Sequence, residues 1–168
     1  MDIRTYDEGD WPQVWPIVEQ IVRKGDTFCY DPLQDEEQAH DLWVVPPPGH
    51  VVVAVEGGRV LGTSNMYANR PGPGAHIASG NFMVAAEARG RGVGLALGEY
   101  LLHWARNQGF AGVQFNAVAA SNTPALGLYE RLGFEVIGTV PGAFRHPALG
   151  PVGLHVMYHG LDQDQAQE

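Results

Sequence analysis

Apolar positions recur along this chain at two spacings, and the spacing marks the kind of element each stretch forms. Ile3 to Tyr6 is a short candidate strand. Trp11, Val14, Trp15, Val18, Ile21 and Val22 then recur three and four residues apart, which predicts an amphipathic helix. A second helix is predicted over about Gln34 to Val44. Pro46, Pro47, Pro48 and Gly49 terminate it, because proline fixes φ and lacks a backbone donor. His50 to Glu56 and Arg59 to Tyr67 are predicted strands joined by Gly57-Gly58, a two-residue hairpin signal.

The run Pro71-Gly72-Pro73-Gly74 makes Asn69 to Ala75 a loop, and His76 to Val84 after it has the length and composition of a buried strand. From Gly92 to Asn107, Val93, Leu97, Tyr100, Leu101 and Trp104 share one helical face, and Gly109 supplies a stop. Val113 to Val118 predicts a strand. Pro124 to Arg131 predicts a short helix entered through Asn122-Thr123 and ended at Gly133. Phe134 to Thr139 and Leu154 to His159 bring the set to about seven strands and four helices, an α/β (α+β) chain.

Composition narrows this picture. At 168 residues, 45% apolar and 17% charged, the chain suits one domain with an ordinary core. That domain is expected over residues 1–161, followed by a polar tail over 162–168. The single cysteine, Cys29, excludes an intramolecular disulfide framework and a multi-cysteine zinc module, so a reducing, cytoplasmic setting fits best. No apolar run approaches the ~18–20 residues of a membrane span, and the N-terminus carries Asp2, Asp7, Glu8 and Asp10 where a secretion signal would be basic and apolar. Membrane insertion is therefore not expected.

A net charge of -9 argues against a general nucleic-acid binder. The charge is unevenly spread: residues 1–41 hold eleven acids and three bases, whereas residues 57–145 hold four acids and seven bases. A chain divided in this way can hold a polyanion with its second half and draw a cationic substrate with its first; a solvated acidic surface is the alternative. His155 and His159 lie four apart on a predicted strand, about 13 Å at ~3.3 Å per residue, too far to share one zinc. No metal is expected.

The candidate polyanion site is Ala88-Arg89-Gly90-Arg91-Gly92-Val93-Gly94-Leu95, between a predicted buried strand and a long helix. Alternate glycines allow close backbone approach, and the first amides of the helix carry partial positive charge, so the turn suits phosphate oxygens. A P-loop needs a lysine after its glycines, but the only lysine is Lys24; a dinucleotide fingerprint needs glycine at position 97, which is Leu97.

Arg89-x-x-Gly92-x-Gly94 after Phe82-Met83-Val84, followed by Asn122-Thr123-Pro124-Ala125-Leu126-Gly127-Leu128-Tyr129-Glu130-Arg131-Leu132-Gly133-Phe134, resembles the GCN5-related N-acetyltransferase (GNAT) superfamily. The first motif is similar to its pyrophosphate loop, the second to its Asn-x-x-Ala-x-x-Leu-Tyr-x-x-Leu-Gly-Phe segment. The resemblance implies a mixed, mostly antiparallel sheet of about seven strands flanked by about four helices, frequent homodimers, and acetyl-CoA as co-substrate without a metal. It also implies that the backbone of Phe82, Met83 and Val84 pairs with the pantetheine arm of coenzyme A, admitted by splaying of the fourth and fifth strands. Gly90, Arg91, Gly92, Val93, Gly94 and Leu95 would hold the pyrophosphate, with charge from Arg89 and Arg91, and Asn122 would bond near the pantetheine. Tyr129 would protonate the departing thiolate and a backbone N–H near Val84 would stabilise developing negative charge. Asn122-Thr123 before Pro124 reads equally as a helix cap, and Tyr129 as a core aromatic.

Many family members carry a strand glutamate that deprotonates the amine, but His76 to Val84 and Val113 to Val118 contain no acid. His76, Glu87 or a water held by Asn81 or Asn116 remain as routes for that proton, and Tyr129 and Asn81 are the candidate catalytic residues. Gly25 to Pro32, with Phe28 and Tyr30, together with Phe82, Asn116-Ala117-Val118 and Pro141 to Pro147, is similar to a subgroup that includes acetyltransferases of proline-like amines such as azetidine-2-carboxylate. Asn116, Phe28 and Tyr30 are therefore the candidate substrate contacts. Asp26, Asp31, Asp35 and Glu36 would attract an ammonium, and Arg145 or His146 could meet a carboxylate. The expected activity is N-acetylation of a small amine or amino acid. A non-catalytic acyl-CoA sensor and an acetyltransferase of a protein amine are the alternatives.

Overall fold

The structure, a computed structural model, describes residues 1–161; the polar tail expected over 162–168 lies outside them. In chain order the elements are β1 (Asp2–Thr5), α1 (Trp11–Lys24), α2 (Glu36–Trp43), β2 (His50–Glu56), β3 (Arg59–Ala68), β4 (Ile77–Val84), α3 (Val93–Asn107), β5 (Gly112–Ala119), α4 (Thr123–Arg131), β6 (Glu135–His146) and β7 (Gly150–Gly160). The strands form one sheet in the order β1-β2-β3-β4-β5-β7-β6. Only β4 and β5 pair in parallel; every other neighbour is antiparallel. Among the described residues no helix is long and apolar enough to cross a membrane.

Helix α1 buries Val14, Ile17, Val18, Ile21 and Val22, the stripe that its three-and-four spacing implies. Gly25 ends it in the left-handed conformation at φ 64°. The side-chain period of two sorts β3 between the helices. Gly62 faces α3, where a Cβ would meet Val93 and Leu97. Its neighbour Thr63 points the other way and accepts from the Trp43 indole at 3.1 Å. Helices α2 and α3 therefore cover opposite faces, and Val51, Val52, Val53 and Val60 of β2 and β3 are buried in the core.

The hairpin between β2 and β3 turns on Gly57 and Gly58 with Glu56 opposite Arg59, and both glycines have positive φ, as a two-residue loop requires. Strands β6 and β7 run well beyond the expected Phe134–Thr139 and Leu154–His159, closing at Pro147 to Leu149. Pro141 and Gly142 lie inside β6. The structure absorbs them in a register shift between Val140 and Phe144 on the edge strand, where a missing donor costs no ladder bond.

For function the decisive feature is the gap between β4 and β5. Their pairing is confined to Ile77 opposite Gly112 and Ala78 opposite Val113, after which the strands part. The last six residues of β4, ending at Val84, thus present backbone groups towards β5 that its ladder does not use.

Candidate active site

A groove of about 620 Å³ opens where the strands separate. One wall is Phe82, Met83 and Val84; the other is Ser121, Asn122 and α4 through Leu128 and Tyr129. Its end is the turn into α3, with Arg89, Gly90, Gly92, Val93, Gly94 and Leu95. Helix α3 has Gly92 at its N-cap, φ 80°, with no side chain capping it and no acid in its first turn. Its first N–H groups and the positive end of its dipole therefore face the groove unanswered, a ready anion site. By contrast α2 is closed by a capping box in which Asp35 and Gln38 exchange bonds. Gly94 serves packing as well: a Cβ there would approach Leu128 to 3.1 Å.

The two arginines of the loop part company. Arg89 lines the groove, whereas Arg91 turns away and pairs with Glu56. Two cations that the sequence reading did not select, Lys24 and Arg131, also line it. Both were masked by their setting at the ends of amphipathic helices, where a cation normally just answers the dipole.

A second, smaller pocket of about 210 Å³ abuts the first, and both are lined by Thr27, Phe28, Asn122 and Tyr129. Here the structure brings together Asn81 from β4, Asn116 from β5, and Phe28 and Tyr30 from the segment after α1. Phe28 and Tyr30 stack at 5.8 Å with an interplanar angle of 5°. Burial, with the nearby Tyr67 and Cys29, raises the Tyr30 pKa, so its phenol stays neutral. Asn116 sits where β5 shifts register against β7, a bulge that aims its amide at Asn69. Its Nδ2 donates to Asn69 Oδ1 at 2.7 Å, and its Oδ1 accepts from Gln114 at 2.9 Å.

Tyr129 lies edge-on to Phe82 at 5.6 Å and against Phe115 at 4.8 Å. The ring packs in an aromatic cluster, as the core reading has it, while the residue also lines both cavities. Burial pushes its pKa up to about 12. The phenol is thus protonated at neutral pH, the form an acid needs. Asn122 caps a helix and lines the groove at once. Its Oδ1 accepts from Ala125 at 3.4 Å as the α4 cap, which leaves Nδ2 for the groove.

Neither residue suggested for taking up the amine proton reaches the pocket. His76 is exposed at the opposite end of β4, and Glu87 is exposed and paired with Arg59. Among the described residues no acid or histidine lines the smaller pocket. His146 borders the larger groove, but its Nδ1 accepts from the N–H groups of Ala148 and Leu149, both at 3.1 Å, which puts its proton on Nε2. The acidic stretch is mostly spent on local structure. Asp31 accepts from Leu33, Asp35 caps α2 and Glu36 takes the Trp11 indole; only Asp26 lines a cavity, the larger one.

Residues that sequence reasoning missed include Tyr67 and Ser79, opposite each other on β3 and β4 and both lining the smaller pocket. The signal was present in β3, where Thr63, Asn65 and Tyr67 occupy alternate positions and so share one face.

Comparison with known proteins agrees with this geometry. Residues 11–134 match the Acetyltransferase (GNAT) family. The structure superposes on a GCN5-related N-acetyltransferase from Kribbella flavida with a TM-score of 0.92 and 53% identity, covering 95% of this chain and 97% of that one. A GNAT superfamily phosphinothricin acetyltransferase from Sinorhizobium meliloti, solved in complex with acetyl-CoA, shares the fold at a TM-score of 0.86 and 21% identity, over 99% and 91% of the two chains. An L-methionine sulfoximine/L-methionine sulfone acetyltransferase of Pseudomonas paraeruginosa is 34% identical over 92 residues, 54% of this chain and 53% of that protein. The chain spans about half or less of the length of the curated relatives it matches.

Proposed function

The chain belongs to the GNAT family of acetyltransferases, and from that premise we propose that it is an acetyl-CoA-dependent N-acetyltransferase of a small-molecule amine. The observation that carries the reading is the junction of two unlike cavities at Asn122 and Tyr129. The larger ends in an anion site, and the smaller is a compact polar pocket walled by aromatic rings.

The groove fits a coenzyme A donor on three counts. The α3 N-terminus carries no side-chain cap, Arg89 stands beside it, and the parted edge of β4 offers free backbone groups to an amide-bearing arm. When bound, acetyl-CoA supplies an acetyl group activated as a thioester. In this reading the N–H groups at Val93, Gly94 and Leu95 hold phosphate oxygens and Phe82 to Val84 line the arm. Asn122 Nδ2 donates to it. Tyr129 keeps its proton through the neutral range and delivers it to the leaving sulfur. The amine loses its proton to water, because among the described residues the smaller pocket offers no acid or imidazole.

A pocket of about 210 Å³ suits a small acceptor better than a segment of protein. The name of the methionine sulfoximine relative describes a small-molecule substrate and supports the same class. Proline-like cyclic amines are the first acceptors to try, since Phe28, Tyr30, Asn81 and Asn116 stand together. The test is free-thiol release from acetyl-CoA across a panel of proline analogues, amino acids, polyamines and phosphinothricin. Release that depends on one acceptor class is expected. Binding of acetyl-CoA with no release for any acceptor would favour an acyl-CoA-binding sensor or a protein acceptor.

A further inference from the structure

Asn65 and Asn81 face each other as direct partners in the antiparallel register of β3 and β4. Asn65 is 1% exposed, and two groups of fixed hydrogen-bonding polarity set its orientation. The Asn81 backbone N–H can only donate, and it lies 3.1 Å from one terminal atom of Asn65, which must be Oδ1. The Trp43 carbonyl can only accept, and it lies 3.0 Å from the other terminal atom, which must be Nδ2. The orientation of Asn65 is thereby determined from both ends.

That polarity passes to Asn81. Its side chain approaches Asn65 Oδ1 at 3.0 Å, so the approaching atom is Nδ2. The same Nδ2 lies 3.1 Å from the Tyr67 hydroxyl, which therefore accepts and keeps its own proton free to donate. Both contacts of the Asn81 side chain use Nδ2, and Oδ1 is left for the pocket that Asn81 lines. Trp43 is itself pinned at its other polar end, where its indole N–H donates to Thr63 Oγ1 at 3.1 Å. The C-terminus of α2 and the polar face of β3 thus form one fixed support beneath Asn81.

We infer that Asn65 is a positioning residue: it fixes the Asn81 amide so that the acceptor pocket meets the incoming amine with a carbonyl oxygen and not with an N–H. The inference rests on the transferase reading above. An amine that attacks an acyl carbon must turn its lone pair to that carbon and its N–H bonds elsewhere, so the wall beside it has to accept. A flipped Asn81 would set donor against donor.

The test compares Asn65→Ala with Asn65→Asp. The aspartate keeps an oxygen for the Asn81 N–H and Nδ2 but loses the donor to Trp43, so it restores orientation without restoring that bond. Asn65→Ala is expected to lower acceptor kcat/KM roughly tenfold, the effect of one lost hydrogen bond, with acetyl-CoA affinity unchanged. Asn65→Asp is expected to recover most of that loss even though its melting temperature stays below that of the wild type. Transfer that is unaffected in Asn65→Ala, or an aspartate no better than alanine, would overturn the inference.

A second measurement needs neither activity nor a folded variant. Hydrogen exchange of the Asn81 side-chain NH₂, followed by NMR in the wild-type protein, is expected to be slow, because that group donates to Asn65 and Tyr67 at once. Fast exchange overturns the inference. Slow exchange in a protein that acetylates no amine upholds the orientation while sinking the transferase reading.

Discussion

At Tyr129 and Gly92 a structural demand coincides with a proposed chemical one. Gly92 holds φ 80° at the head of α3, with nothing within 4 Å of the place a Cβ would take. A side chain there meets no clash; the cost comes from backbone strain, about 1–2 kcal/mol. Gly92→Val is expected to weaken acetyl-CoA binding at least tenfold in a protein that still folds, because the branched side chain stands over the amides that face the groove; unchanged affinity by titration calorimetry would remove this loop from the donor site. The pH profile is a second residue-scale expectation. Tyr129, raised to about 12 by burial, loses its proton only in strong alkali, and among the described residues no acid or histidine lines the smaller pocket. Acceptor kcat/KM should therefore rise with pH up to the amine's own pKa and stay level above it until the Tyr129 phenol ionises, near pH 12. Changing the amine should move the break. A break fixed at one pH for amines of different basicity would reveal a protein base.

At the scale of elements, the helix termini explain much of what the sequence made legible and what it hid. Gly92 and the lack of an acid in the first turn of α3 mark an uncapped terminus, and these are local features that a reader of the chain can see. The acids between Asp31 and Glu36 were also visible, yet their use as caps and turn acceptors depends on contacts as distant as Trp11. Similarly, a strand pattern locates β3 but does not reveal which of its faces lies under Trp43. Strands β6 and β7 extend beyond the expected segments, and the edge position of β6 is what makes Pro141 and Gly142 tolerable within it. The N-terminal element gives a stability prediction. Asp10, 7% exposed, takes two bonds of 2.8 Å from Arg4 and one from the Asp7 N–H. The Arg4 guanidinium holds its carboxyl below the ordinary carboxylate range. The stabilisation is then fully present above an unfolded pKa of about 3.9 and is lost as pH falls through the lower folded value. Asp10→Asn should lower the melting temperature at pH 7 and flatten its decline below about pH 4. Equal acid sensitivity in the two proteins, measured by thermal melts, would show that this pair does not contribute.

For the whole molecule, the order of strands does what local sequence cannot. The two motifs and the run of elements were enough to anticipate a mixed sheet with a glycine-rich turn before its third helix. The parting of β4 from β5 brings the groove and the pocket together at Asn122 and Tyr129, although the residues that line them come from Ile21 to His146 in the chain. The far edge of the same sheet is the 12-residue strand β6, where Val136, Ile137 and Val140 are 43%, 62% and 54% exposed. A homodimer that covers this edge, in keeping with the sequence resemblance, should appear at twice the monomer mass in light scattering and revert to monomer on Ile137→Lys. A monomeric wild-type protein would leave the edge unpartnered. The measurement that reaches the central claim most directly is acceptor-dependent thiol release by wild type and Tyr129→Phe side by side, with acetyl-CoA affinity determined for both. Turnover is expected to fall by about 10²-fold in the variant with an unchanged dissociation constant, because only the proton donor is lost. Equal turnover in the two proteins would contradict that claim.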